Sequence, residues 1–210
     1  MGAWGADVEL NRSKEYFPAF LCSIVQSMLE LGINGAYKGA SAIVIPSLCD
    51  TLKTLGENWK YAVKDIPFIP MTYPQHRKPA YGIAYTKAGY ERVIHDLEKL
   101  GGKFDAAALA ESNRIYNRHN QVMRRAEEVL ANHPEITAAQ RSDLFKSAFF
   151  MLKEEHTALV EQLIKELEGT APAAEKLPVI VSGILTDAPQ LNAIMDELGF
   201  HIVADDVAAQ

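Results

Sequence analysis

Cysteine is scarce in this sequence: 210 residues contain only Cys22 and Cys49, 49 − 22 = 27 positions apart, and no CxxC pair. A disulfide scaffold is excluded, and so are the usual zinc and thioredoxin patterns, which set their cysteines close together. Positive charge is also short. Against 27 Asp and Glu stand 21 Lys and Arg, a formal net charge of -6, so no nucleic-acid partner is expected. No apolar run is long enough to span a bilayer. The N-terminus lacks the basic and apolar regions of a signal peptide. The expectation is a cytoplasmic protein without a membrane partner. GxGxxG, P-loop and HExxH patterns are missing, which removes the common dinucleotide, nucleotide and zinc-hydrolase signatures.

What is present is ordinary for a globular chain: 48% hydrophobic and 23% charged residues, enough for a sizeable core. Phe17, Phe20, Leu21, Ile24, Val25 and Met28 recur at helical spacing and predict a helix over residues 13–31, with Pro18 in its first turn and Gly32 and Gly35 ending it. A buried-type strand follows at 42–45, stopped by Pro46. A helix over 50–62 carries Leu52, Leu55 and Trp59 on one face, and a second strand is read at 67–71. Three helical segments come next, over 81–100, 105–131 and 137–167, the last broken near Lys153. In the second, apolar pairs one heptad apart (Ala108/Leu109, Ile115/Tyr116, Val122/Met123, Val129/Leu130) form a one-sided stripe.

Residues 169–176, rich in Ala and Pro, read as a linker. A strand at 179–181, a helix over 188–198 and a strand at 201–204 then imply parallel strands joined by a right-handed crossover. One βαβ unit cannot cover both faces of a parallel sheet. The expected class is therefore α/β: a Rossmann-like parallel-sheet lobe with a long helical segment over 1–168, truncated at its start, and the beginning of a second, truncated α/β lobe over 177–210.

Cys49 lies between a strand and a helix, so it falls at a helix N-terminus and at the carboxyl end of a strand. The helix dipole there favours a thiolate, and such strand ends are where open α/β sheets take ligands. Ser47 or Asp50 is the expected cap of that helix. Cys22, on the helix expected over 13–31, lies roughly 130° from the centre of the apolar stripe, so it is not an obvious core filler. Each thiol also has the plainer reading of a small buried hydrophobe.

Several segments together carry a resemblance. Gly2-Ala3-Trp4-Gly5-Ala6, Tyr16-Phe17-Pro18-Ala19-Phe20-Leu21-Cys22-Ser23 and Ile45-Pro46-Ser47-Leu48-Cys49-Asp50-Thr51-Leu52 with Asn58-Trp59-Lys60 are similar to the 2-hydroxyacyl-CoA dehydratase family, which includes 2-hydroxyglutaryl-CoA dehydratase and benzoyl-CoA reductase subunits. Tyr73-Pro74-Gln75-His76-Arg77-Lys78, Ile115-Tyr116-Asn117 and Ala204-Asp205-Asp206 continue the match in order.

The resemblance implies a [4Fe-4S] cluster held by three cysteines, with Cys22 and Cys49 as the first two and the third outside this chain. It implies an acyl-CoA substrate, a related second subunit in a hetero- or homodimer, and an ATP-dependent iron–sulfur activator. The implied reaction is loss of water from a 2-hydroxyacyl-CoA. One electron added to the thioester carbonyl gives a ketyl radical anion, which expels the α-hydroxide. The remaining radical then gives up a β-proton and returns the electron. Related alternatives are a benzoyl-CoA-reductase-like enzyme and a double-cubane ATP-driven reductase. A non-catalytic α/β binding module is the alternative of another class.

Other positions are weaker. Ser23, Ser47 and Asp50 adjoin the cysteines and could hydrogen-bond around a cluster; capping is the plainer role of Ser47 and Asp50. His76, Arg77 and Lys78 could meet coenzyme A phosphates, although a solvated loop is the simpler reading. Ser182 and Gly183 end a strand ahead of a helix, where a phosphate or carboxylate could bind. Asp205 or Asp206 could be a base or a cap. Glu154-Glu155-His156 reads as helix surface. No catalytic base is assigned.

Overall fold

The computed structural model describes residue 2 and residues 8–173, 175–184 and 186–207. The Ala3-Trp4-Gly5-Ala6 part of the resemblance lies outside them. By internal contacts the chain forms two compact units, residues 3–105 and residues 106–210 with 1–2. The linker expected at 169–176 falls inside the second of these. The class is mixed α/β with two short parallel sheets, as expected.

In the first unit a short 3₁₀ turn, Ser13–Glu15, precedes α1, Ser23–Ile33. The single helix expected over 13–31 is therefore corrected. A helix begun at Ser13 would place Pro18 beyond its first turn, where its missing N–H breaks the ladder and its ring clashes with the preceding turn. Residues 16–22 instead form an irregular arm: Phe17 enters the core, and Leu21 N–H closes a turn onto Pro18 O at 3.0 Å. Gly32 stays inside α1, where an added Cβ would lie 2.6 Å from the Trp59 ring; the turn past the helix is made by Gly35 at φ +80.

Strand β1, Ile43–Pro46, pairs in parallel with β2, Phe68–Met71. Between them runs α2, Asp50–Ala62, at the predicted position. Phe17, Val25, Leu29, Ile45, Leu55, Trp59, Val63 and Ile66 form one core under both helices. Trp59 is fully buried, and its indole N–H donates to Ile66 O at 2.9 Å, so the polar handle of the largest core residue is satisfied. After β2 comes α3, Ala80–Lys99.

The second unit starts with α4, Ala106–Leu130. Only the C-terminal half of its predicted stripe is buried, with Val122, Met123, Ala126 and Leu130 packing on Phe145 and Val160, whereas Leu109 and Tyr116 are exposed. Helices α5, Ala138–Ser147, and α6, Lys153–Glu168, realise the predicted break. Thr137 caps α5 through a reciprocal pair with Gln140.

Strands β3, Leu177–Gly183, and β4, Phe200–Val207, pair in parallel around α7, Pro189–Glu197. Three carboxylates from this βαβ unit meet α5. Asp196 accepts the Ala138 N–H at 2.7 Å, Asp187 accepts from Ser142 Oγ at 3.3 Å and pairs with Lys146 at 2.7 Å, and Asp205 pairs with Arg141. These ties place the βαβ segment in one unit with the helices despite the Ala- and Pro-rich stretch before it.

Candidate functional site

Each cysteine ends a backbone segment and opens a helix. Cys22 is the residue before the first turn of α1, and Cys49 holds the same place before α2. The wheel position expected for Cys22 is thus replaced by a helix terminus. The capping role expected of Ser47 or Asp50 also falls to Cys49: its Sγ accepts the Leu52 N–H at 3.4 Å. Asp50 is the first helical residue and pairs with Lys53 at 3.1 Å, while Ser47 N–H extends the sheet pairing to Met71 O at 2.8 Å.

Both thiols are exposed, so neither is a core filler. A helix N-terminus offers unpaired N–H groups and a partial positive charge, which together suit an anionic sulfur. Two soft, accessible sulfurs on one core fit thiolate ligation of an iron–sulfur group. They supply two donors, and no group of three His, Cys, Asp or Glu suited to a metal occurs among the described residues.

The sequence model of the family described as 2-hydroxyglutaryl-CoA dehydratase, D-component, matches residues 1–210. The chain belongs to this family. Among this dehydratase family's curated proteins, the (R)-phenyllactyl-CoA dehydratase beta subunit of Clostridium sporogenes is 40% identical over 211 residues, covering 99% of this chain and 56% of that protein. The lactoyl-CoA dehydratase subunit beta of Anaerotignum propionicum is 40% identical over 214 residues, 100% of this chain and 56% of that protein. The (R)-2-hydroxyglutaryl-CoA dehydratase, subunit beta, of Acidaminococcus fermentans is 37% identical over 214 residues, 99% of this chain and 56% of that protein. The chain thus spans a little over half the length of these relatives. No helix among the described residues is long and apolar enough to cross a membrane.

The remaining positions considered in this dehydratase-family chain fall as follows. Ser23 is the first residue of α1, and its carbonyl accepts from Ser27 Oγ at 2.9 Å. His76, Arg77 and Lys78 are exposed between β2 and α3, in the same unit as the cysteines; Arg77 lies over the Tyr73 ring at 5.2 Å. Ser182 and Gly183 are exposed at the end of β3 in the other unit. Asp205 is committed to its buried pair with Arg141 and is neither an open base nor a helix cap.

His156 corrects the surface reading of Glu154-Glu155-His156. The two glutamates are exposed, but His156 is only 2% exposed. Its Nε2 lies 3.1 Å from Leu144 O, which can only accept, so Nε2 carries the proton. Its Nδ1 therefore accepts from His119 Nε2 at 3.0 Å. Burial, then the charges of Lys153 and His156, hold His119 down at about 4 against the opposing effect of Asn120. Burial likewise lowers His156, against the Leu144 bond. The signal for this pair is faint in sequence, since His119 and His156 are 37 positions apart on different helices.

A histidine whose folded pKa is depressed stabilises the fold above its unfolded value and loses that contribution as pH falls. The second unit should therefore weaken from pH 6.5 down to about 4, by roughly 3 kcal/mol for His119 alone. Urea unfolding followed across this range checks it, and His119→Leu should flatten the slope. Glu30, in the first unit, titrates lower. Burial pushes its carboxyl up, but the Ser13, Arg12 and Asn11 donors outweigh this and hold it at about 2. Its contribution is lost as pH falls from 4.5 towards 2, mostly below the histidine window.

Proposed function

We propose that this chain is part of a subunit of a 2-hydroxyacyl-CoA dehydratase, one that eliminates water from a 2-hydroxyacyl-CoA through a ketyl radical. Cys22 and Cys49 contribute two thiolates to a [4Fe-4S] cluster whose third cysteine lies outside this chain. The observation that carries this reading is the matched placement of the two cysteines, each exposed and each opening a helix of the same core. When bound, such a cluster supplies a low-potential electron and an iron open to a substrate oxygen.

The chain's own residues account for the sulfur side of the site. At the N-terminus of α2 the Leu52 N–H donates to the Cys49 sulfur. Ser23, Ser47 and Asp50 stand next to the thiols in the chain, where their polar groups can tune the sulfurs. His76, Arg77 and Lys78 are candidates for meeting acyl-CoA phosphates, and Ser182 and Gly183 are weaker ones. Partners are a related second subunit and an ATP-dependent iron–sulfur activator, and the setting is the cytoplasm.

The test uses the longer protein with its partner subunit, activator, ATP and a reductant, under anaerobic conditions. Dehydration returns its electron, so ATP is consumed in catalytic amounts while the 2-hydroxyacyl-CoA disappears. ATP use in proportion to a reduced product would instead identify a reductase of the same family. Colourless, iron-free protein would sink both and leave the binding module.

A further inference from the structure

Two side-chain amides donate to backbone carbonyls in the arm that leads into Cys22. Gln26, buried in the second turn of α1, donates from Nε2 to Leu21 O at 2.8 Å. Asn58, on the helix that Cys49 opens, donates from Nδ2 to Tyr16 O at 2.8 Å, across 42 positions of sequence. The arm has no helix or strand ladder of its own, so these carbonyls depend on such donors.

The geometry around Cys22 follows from these bonds. Leu21 O belongs to the peptide plane that enters Cys22, and Gln26 fixes it. Cys22 O belongs to the plane that leaves, and it accepts the N–H groups of Val25 and Gln26, both at 3.1 Å. With both planes fixed, the two soft dihedrals of Cys22 are set, and with them the direction of its Cβ. Asn58 then fixes where the arm lies against α2. The core beneath, with Phe17 buried, is adhesive but non-directional; the hydrogen bonds supply direction. Glu30 anchors the arm further upstream, accepting the N–H groups of Asn11 at 3.1 Å and Ser13 at 2.7 Å.

We infer that Gln26 and Asn58 are positioning residues that hold the Cys22 thiol where it can share one iron–sulfur cluster with Cys49. This rests on the reading of the two cysteines as ligands of a single cluster.

The test needs no loaded enzyme. Phenylarsine oxide closes on two neighbouring thiols, forming two As–S bonds and releasing its oxygen as water with the two thiol protons. The full chain should take up one arsenical, protecting both cysteines from alkylation. Gln26→Met and Asn58→Leu keep the shape and remove the donor. Each should weaken arsenical binding by about tenfold or more, through a lower effective concentration of one sulfur near the other. Each single thiol should keep its reactivity toward a monofunctional maleimide. Ile66→Val, which trims the same core at a residue outside the arm, should leave the affinity unchanged.

Wild-type affinity in both amide variants overturns the inference while the cysteine reading stands. An equal loss in Ile66→Val also overturns it, because general destabilisation then explains the effect. Failure of the unmodified chain to engage both thiols removes the cysteine reading itself. Should the shape-conserving variants misfold, Gln26→Ala and Asn58→Ala provide the same comparison.

Discussion

Cys49→Ser should strip iron and sulfide from the longer protein purified under anaerobic conditions, lowering both by an order of magnitude or more, and Cys22→Ser should do the same. Iron–sulfur groups are held by soft thiolates, and a serine oxygen is a harder, far less acidic donor. With only two cysteines in the chain, losing either leaves one. The substitution is a clean probe because of where the residues sit. Both open helices, and serine is among the best residues at that position. The fold should therefore hold or gain slightly, with unchanged far-UV circular dichroism and an unfolding midpoint at or above that of wild type. Full iron and sulfide in Cys49→Ser, at wild-type colour, would end the cluster reading.

Asp205→Asn should destabilise the second unit by about 3–5 kcal/mol, the cost of leaving a buried charge without its partner. Arg141 and Asp205 are both almost wholly buried at the side chain, and Arg141 Nη1 has no hydrogen-bond partner among the described residues. Glu127 complicates the sum in a testable way. Burial, then the charge of Asp205, pushes its carboxyl up, against the pull of Arg141 and Arg124. Removing the Asp205 charge relieves the repulsion that raises Glu127 and so recovers part of the loss. Arg141→Met has no such relief, because it leaves Asp205 unpaired and pushes Glu127 further up. It should be the worse of the two. Arg141→Met combined with Asp205→Leu should restore most of the stability, since a packed apolar pair avoids desolvating both ions. Urea unfolding of the four proteins measures this; equal, small effects of both single variants would refute the ion pair's role.

These two cases show different degrees of legibility. The segment around Cys49 could be read locally. A short apolar strand, a proline and an amphipathic helix follow one another, and only one residue type was misjudged, since the cysteine itself takes the place expected of Ser47 or Asp50. The arm before Cys22 could not be read that way. Its apolar residues have helical spacing, yet Phe17 packs as an irregular insertion held by Glu30, Gln26 and Asn58 from other turns and another helix. Periodicity registers burial and cannot tell a helical face from a loop pressed onto a core.

The burial of His156 and the pairing of Asp205 with Arg141 were hidden for a related reason. Polar residues are read as surface or as sites unless a distant partner is known, and here the partners stand 37 and 64 positions away. By itself the sequence determined the α/β class, most helix positions and the family, because hydrophobic period, turn residues and motif order are written along the chain. Tertiary structure alone decided that Cys22 also opens a helix, over the same core as Cys49, and which buried charges are paired. Those outcomes depend on groups far apart in sequence meeting at hydrogen-bond distance, a condition that no local pattern encodes.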